Sequence, residues 1–140
     1  MKRIIDEKSA EQVAQIFKDR FSDPVDVTLY SGQENEDAVN FTRQFVEELA
    51  ELDDRIQVDM RSIDEGTRAE GIGTSPTLVL GRSKGYKVEF SGAPSGHEAG
   101  ALVETIAMIS SGQNGLSPDS ESKMSKVDKE VLLYSFVTPT

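Results

Sequence analysis

Two short stretches of strict alternation flank one long amphipathic helix, and that pattern narrows the fold more than any other feature of the chain. Val25, Val27 and Leu29 alternate with Asp26, Thr28 and Tyr30; later, Ile56, Val58 and Met60 alternate with Gln57, Asp59 and Arg61. Period-two alternation is the mark of a strand with one buried face. Between the two runs, from Gln33 to Asp54, Ala38, Phe41, Phe45, Leu49 and Leu52 recur at spacings of three and four, which is helical. A strand, a helix and a second strand in this order point to an α/β sandwich.

The rest of the chain extends this unit. Ser9 to Phe21 reads as a first helix carrying Val13, Ile16 and Phe17 on one face, with Ser9 as cap and Gln12 completing a capping box. Asp23-Pro24 stops it. Asp64 to Glu70 makes one or two helical turns. After Ser75-Pro76, the apolar run Thr77–Leu80 reads as a buried strand. Gly81-Arg82-Ser83-Lys84-Gly85 turns the chain, and Tyr86, Val88 and Phe90 alternate with Lys87 and Glu89 to complete a hairpin. A final helix runs from about His97 to Ile109, with Ser95 and Glu98 at capping-box spacing. The expected architecture is α/β, a mixed central sheet flanked by helices.

Residues 1–110 form one domain in this reading, and residues 111–119, rich in Ser, Gly and Asn, form a linker. Residues 120–140 read as a helix over Ser120–Val127 and a strand over Val131–Val137, a restart of the helix–strand opening.

Composition removes several classes of function. With 25 acidic against 15 basic side chains, the net charge is −10, which argues against nucleic acid and anionic membranes as partners. There is no cysteine, so thiol catalysis, thiolate metal sites and disulfides are excluded for these residues. One histidine, His97, gives no metal coordination set and reads as the first residue of a helix. Gly71-Ile72-Gly73-Thr74-Ser75-Pro76 precedes a strand where a dinucleotide fingerprint would follow one, and Gly81–Gly85 lacks the length of a phosphate-binding loop. Glu34, Glu36, Asp37, Glu47, Glu48, Glu51, Asp53 and Asp54 read as a favourable first turn and a solvated helix face. Their surplus suits solubility, a high-salt habitat or exclusion of wrong partners alike. No secretory leader or spanning segment is evident, and the expected location is the cytoplasm.

Four stretches carry a family resemblance: Phe45-Val46-Glu47-Glu48-Leu49-Ala50-Glu51-Leu52, Ser75-Pro76-Thr77, Phe90-Ser91-Gly92-Ala93-Pro94-Ser95-Gly96-His97-Glu98, and the tail Val131 to Thr140. Over essentially its whole length the sequence resembles the N-terminal half of tandem thioredoxin-fold proteins. These are the glutaredoxin-like protein disulfide oxidoreductases and the N-terminal module of the alkyl hydroperoxide reductase flavoprotein. The resemblance implies a thioredoxin-like fold whose last helix and strand begin a second thioredoxin-like domain. It also implies that Pro76 is cis and faces the site, with the backbone of Ser75 free to pair with an extended peptide.

The resemblance breaks at two places. The Cys-x-x-Cys of the disulfide oxidoreductases opens the long helix, and its place is held here by Glu36-Asp37-Ala38-Val39, with Glu36 and Val39 at the cysteine positions. In both families a strand ending like Ser135–Thr140 runs into the second domain's Cys-Pro-Tyr-Cys or its equivalent, and the sequence ends before that point. Disulfide exchange is attack by a sulfur nucleophile. The expectation is therefore a non-enzymatic, cofactor-free module that packs against a second thioredoxin-like domain or redox protein. Two further expectations accompany it, a homodimer through the C-terminal strand and, as the alternative function, a peptide-binding adaptor working through Ser75 and Pro76. Pro76, Ser95 and Glu98 are expected to be structural.

Overall fold

The computed structural model describes residues 2–138. Its elements are α1 (Glu7–Arg20), β1 (Val25–Ser31), α2 (Glu36–Leu52), β2 (Ile56–Ser62), α3 (Glu65–Ala69), β3 (Thr77–Leu80), β4 (Val88–Ser91), α4 (His97–Ser111) and α5 (Pro118–Met124). The strands form one mixed sheet in the order β2-β1-β3-β4. β1 and β2 run parallel, Val25 opposite Ile56 and Ser31 opposite Ser62, while β3 lies antiparallel between β1 and β4.

Alternation along the strands decides which face is covered. Val25, Val27 and Leu29 of β1 and Leu78 and Leu80 of β3 point into the main core. There they meet Phe17 and Phe21 of α1 and its C-terminal end, Phe45, Val46 and Leu49 of α2, and Leu102, Val103 and Ile106 of α4. Tyr30 and Val79, of opposite parity, meet only Ile72 and the half-buried Ile63 on the other face. The sheet is therefore thickly covered on one side by three helices and thinly on the other.

Several local expectations change. α1 starts at Glu7, capped by Asp6, whose carboxylate accepts the Ser9 N–H at 2.9 Å. Ser9 is thus inside the first turn and donates its hydroxyl to Asp6 at 2.9 Å. At α4 the cap is Gly96, with φ 59° and no side-chain cap bond, so Ser95 and Glu98 form no capping box. The positive φ needed to enter α4 falls on the glycine, which tolerates it, and this leaves Ser95 one residue too early. A capping box does form at α3, where Asp64 and Thr67 bond reciprocally at 2.8 and 2.9 Å.

Glu48, assigned by its charge to the solvated face, is 5% exposed. Its carboxylate accepts the N–H of Ile4 and of Ile5, at 3.0 and 2.8 Å, and the Gln44 amide at 2.8 Å. It fastens the N-terminal segment to α2.

The tail also differs. Val131–Val137 forms no strand: it lies near the edge strand β4 without pairing to it, and an unpaired strand is not stable in water. Pro139 and Thr140, the end of that stretch, and Met1 lie outside the described residues. The helix expected over Ser120–Val127 is α5, shifted to Pro118–Met124 and capped by Ser117. No helix among the described residues is long and apolar enough to cross a membrane.

Candidate functional site

The site lies where the loop before α2 meets the start of β3. Asn35, the residue before α2, adopts the left-handed conformation, φ 56° and ψ 45°. Asparagine is among the few residues other than glycine that visit it routinely. Across from it, the Ser75–Pro76 peptide bond is cis, and both residues are buried.

Three hydrogen bonds tie these segments together. The Gly32 N–H donates to Ser75 Oγ at 2.9 Å, and Ser75 Oγ donates to the Glu34 carbonyl at 3.1 Å. Asn35 Nδ2 donates to the Ser75 carbonyl oxygen at 2.9 Å. On the far side, Gly92 N–H donates to the Pro76 carbonyl at 2.9 Å, and Thr77 Oγ1 sits 3.0 Å from Ser91 Oγ and donates to the Thr74 carbonyl. The turn is held by its own side chains and backbone on both sides.

This wiring limits what the site can do. Ser75 has its hydroxyl engaged by two backbone groups and no base beside it among these contacts, so it is not an activated nucleophile. Its carbonyl, the acceptor an added peptide strand would use, already accepts one hydrogen bond, from Asn35, and keeps a second lone pair. Glu36 is exposed in the first turn of α2, where the helix dipole favours a carboxylate. Val39 is 5% exposed, lodged against the interior. A polar pocket of about 580 Å³ adjoins the turn, lined by Ser31, Gly32, Glu34, Ser62, Arg68 and Ser75 among others. No group of three or more potential metal ligands occurs among the described residues.

Ser95 and Glu98 are half-buried where the chain enters α4, on a different part of the surface, and His97 is exposed at its first position. The residue that sequence reasoning missed is Asn35. Its signal was an asparagine just before an acidic first turn, a place where a helix cap is expected.

A sheet in the order β2-β1-β3-β4, entered at β3 by a cis-proline that faces the start of the first crossover helix, defines a thioredoxin-like fold. The particular proteins it is similar to are redox proteins. It superimposes on the alkylhydroperoxide reductase AhpF from Enterococcus faecalis, studied as its C503A mutant, with a TM-score of 0.76 at 26% identity, covering 89% of this chain and 61% of that one. The NTD_N/C domain of the same organism's AhpF gives a TM-score of 0.72 at 25% identity, covering 85% of this chain and 59% of that one. A protein disulfide oxidoreductase from Aeropyrum pernix shares the fold, with a TM-score of 0.64 at 19% identity over 87% of this chain and 55% of that one. The chain thus spans little more than half the length of each. No protein-family model and no curated protein matches it.

Proposed function

We propose that this chain is a redox-inactive thioredoxin-fold module, the non-catalytic first half of a cytoplasmic thiol–disulfide oxidoreductase or hydroperoxide reductase system. Its work is architectural, packing against or docking a thioredoxin-like domain that carries the cysteines. One observation carries this reading: α2 begins opposite the cis-proline. The resemblance to the disulfide oxidoreductases puts the two sulfurs of their dithiol at the start of that helix, at the positions of Glu36 and Val39. Neither side chain can form the mixed disulfide on which exchange depends.

The test is an insulin-reduction assay with dithiothreitol as electron source. The expected rate with the purified chain equals that of dithiothreitol alone. Turnover that rises with protein concentration would overturn the proposal.

In the alternative, adaptor reading, Ser75 and Pro76 hold an extended peptide by strand addition, the Ser75 carbonyl sharing its two lone pairs between Asn35 and the peptide. Titration of unfolded peptides against the chain and its Pro76→Ala variant separates the two. Binding that the variant loses would favour the adaptor.

A further inference from the structure

The sheet ends at β4, which has β3 on one side and no strand on the other among the described residues. An open edge of unpaired N–H and C=O groups is a template for another strand, and proteins usually guard it with charge. The cation beside this edge, Lys87, is engaged by Glu130 at 2.7 Å. That contact sets the start of the tail next to β4.

The tail is built like a strand. Residues 131–138, Val-Leu-Leu-Tyr-Ser-Phe-Val-Thr, contain no charge, glycine or proline and are rich in β-formers. Yet Val131, Leu132, Leu133, Tyr134, Phe136 and Val137 are 59–92% exposed. Six large apolar side chains together present an area on the scale of the ~800 Å² that each partner buries in a standard interface. The run carries no charge on a chain of net charge −10, so contact there brings two acidic molecules together with little local repulsion.

Between tail and edge lies a cleft of about 880 Å³, bounded by β4, the first turn of α4 and Leu133–Thr138. A single chain leaves this cleft open, with a donor strand on one wall and an acceptor edge on the other. We infer that the tail is a docking strand for a second copy of this chain. Val131–Val137 of each protomer adds to the outer edge of β4 in its partner, giving a two-fold dimer in which both clefts are filled. The inference stands on the tail and the edge alone, so its failure leaves the redox reading untouched, and the reverse also holds.

Sedimentation equilibrium on the full chain, from low micromolar to near-millimolar concentration, tests it together with amide hydrogen exchange. The expected species has twice the chain mass of 15.3 kDa, and exchange at Val88–Ser91 slows as concentration rises. The double variant Leu133→Asp/Phe136→Asp weakens association by on the order of a hundredfold or more, because it places unpaired charges in the joint. Both residues are exposed, so its thermal unfolding matches that of the parent at concentrations where the parent is monomeric, and the variant remains folded. A chain monomeric at every concentration overturns the inference. So does a dimer that survives the double variant, or β4 protection that is independent of concentration, which would mean each tail closes on its own edge.

Discussion

The Glu48 carboxylate accepts the Ile5 backbone N–H at 2.8 Å, joining the middle of α2 to a segment 43 residues earlier in the chain. The Ile4 N–H shares the same carboxylate, Gln44 bridges to the Lys2 carbonyl at 2.7 Å, and Arg3 pairs with Glu51 at 2.9 Å. Ile4 and Ile5 are thereby laid against the main core. The Glu48→Ala variant leaves two amide donors without their acceptor. An unmade buried hydrogen bond costs about 1–3 kcal/mol. The urea midpoint should fall accordingly, and Glu48→Gln, which keeps one acceptor oxygen and the shape, should fall less.

The same contact sets a pH dependence. Burial pushes the Glu48 carboxyl up, but the Ile5 N–H, the Gln44 amide, the Ile4 N–H and the charge of Arg3 outweigh it and hold the group below its ordinary 4.5. At Asp53, the Arg55 guanidinium beside it has the same lowering effect against a smaller opposing effect of burial. A carboxyl whose folded value is depressed stabilises the protein fully above its unfolded value. That stability is lost as pH falls through the folded value. Stability should hold from neutrality down to about pH 5 and then decline, and Glu48→Gln should flatten the acid limb.

Gly81 precedes a single 3-10 turn at Arg82–Lys84, with φ 67°, and its N–H bonds to the Asp26 carbonyl. An added Cβ would stand 2.9 Å from Ile109 Cγ2, in the interior. Gly81→Ala is expected to cost at least the ~1–2 kcal/mol of a left-handed non-glycine residue, with the displacement of Ile109 added. A control at Gly85, also at positive φ but in open space, should carry only the conformational part. Thermal or urea unfolding of the two variants side by side checks the difference.

Asn35 has two separable roles, its left-handed backbone and its amide on the Ser75 carbonyl. Asn35→Gly keeps the first and removes the second. It should lower stability by the ~0.5–1.5 kcal/mol of one hydrogen bond. It should also loosen the turn, detectable as faster amide exchange at Gly32 and Gly92, whose N–H groups bond to Ser75 Oγ and the Pro76 carbonyl. Asn35→Ala, which also forces alanine into the left-handed region, should be worse.

Glu36→Cys/Val39→Cys places two sulfurs at the first and fourth positions of α2. The expected outcome is an oxidisable dithiol, read as loss of two free thiols on treatment with oxidised glutathione, with insulin reduction above the dithiothreitol blank. Retention of both free thiols would show that the two positions are not equivalent to a Cys-x-x-Cys.

Much of the fold was legible in local pattern. The alternation of Val25–Tyr30 and Ile56–Arg61 predicts β1 and β2 closely, since period-two burial depends on each strand's own residues. Glu48 was legible too, although its charge hid the signal. It lies three residues after Phe45 and four before Leu52, on the apolar stripe itself. A carboxylate there is tolerated only if donors meet it, and those donors, Ile4 and Ile5, come from a distant segment. Capping was less reliable because Asp6 and Gly96 compete with Ser9 and Ser95 for the same ends, and backbone geometry chooses between them.

The sequence by itself determined the strand and helix order, the acidic balance and the lack of any sulfur at Glu36 and Val39, because these are properties of residues and their spacing. Tertiary structure decided what meets what. It set Asn35 on the Ser75 carbonyl and Glu48 on the N-terminal amides. It also left Val131–Val137 beside the β4 edge without pairing to it. Each of these is a contact between segments remote in the chain, and strand formation, unlike helix formation, requires a neighbour that local sequence does not supply.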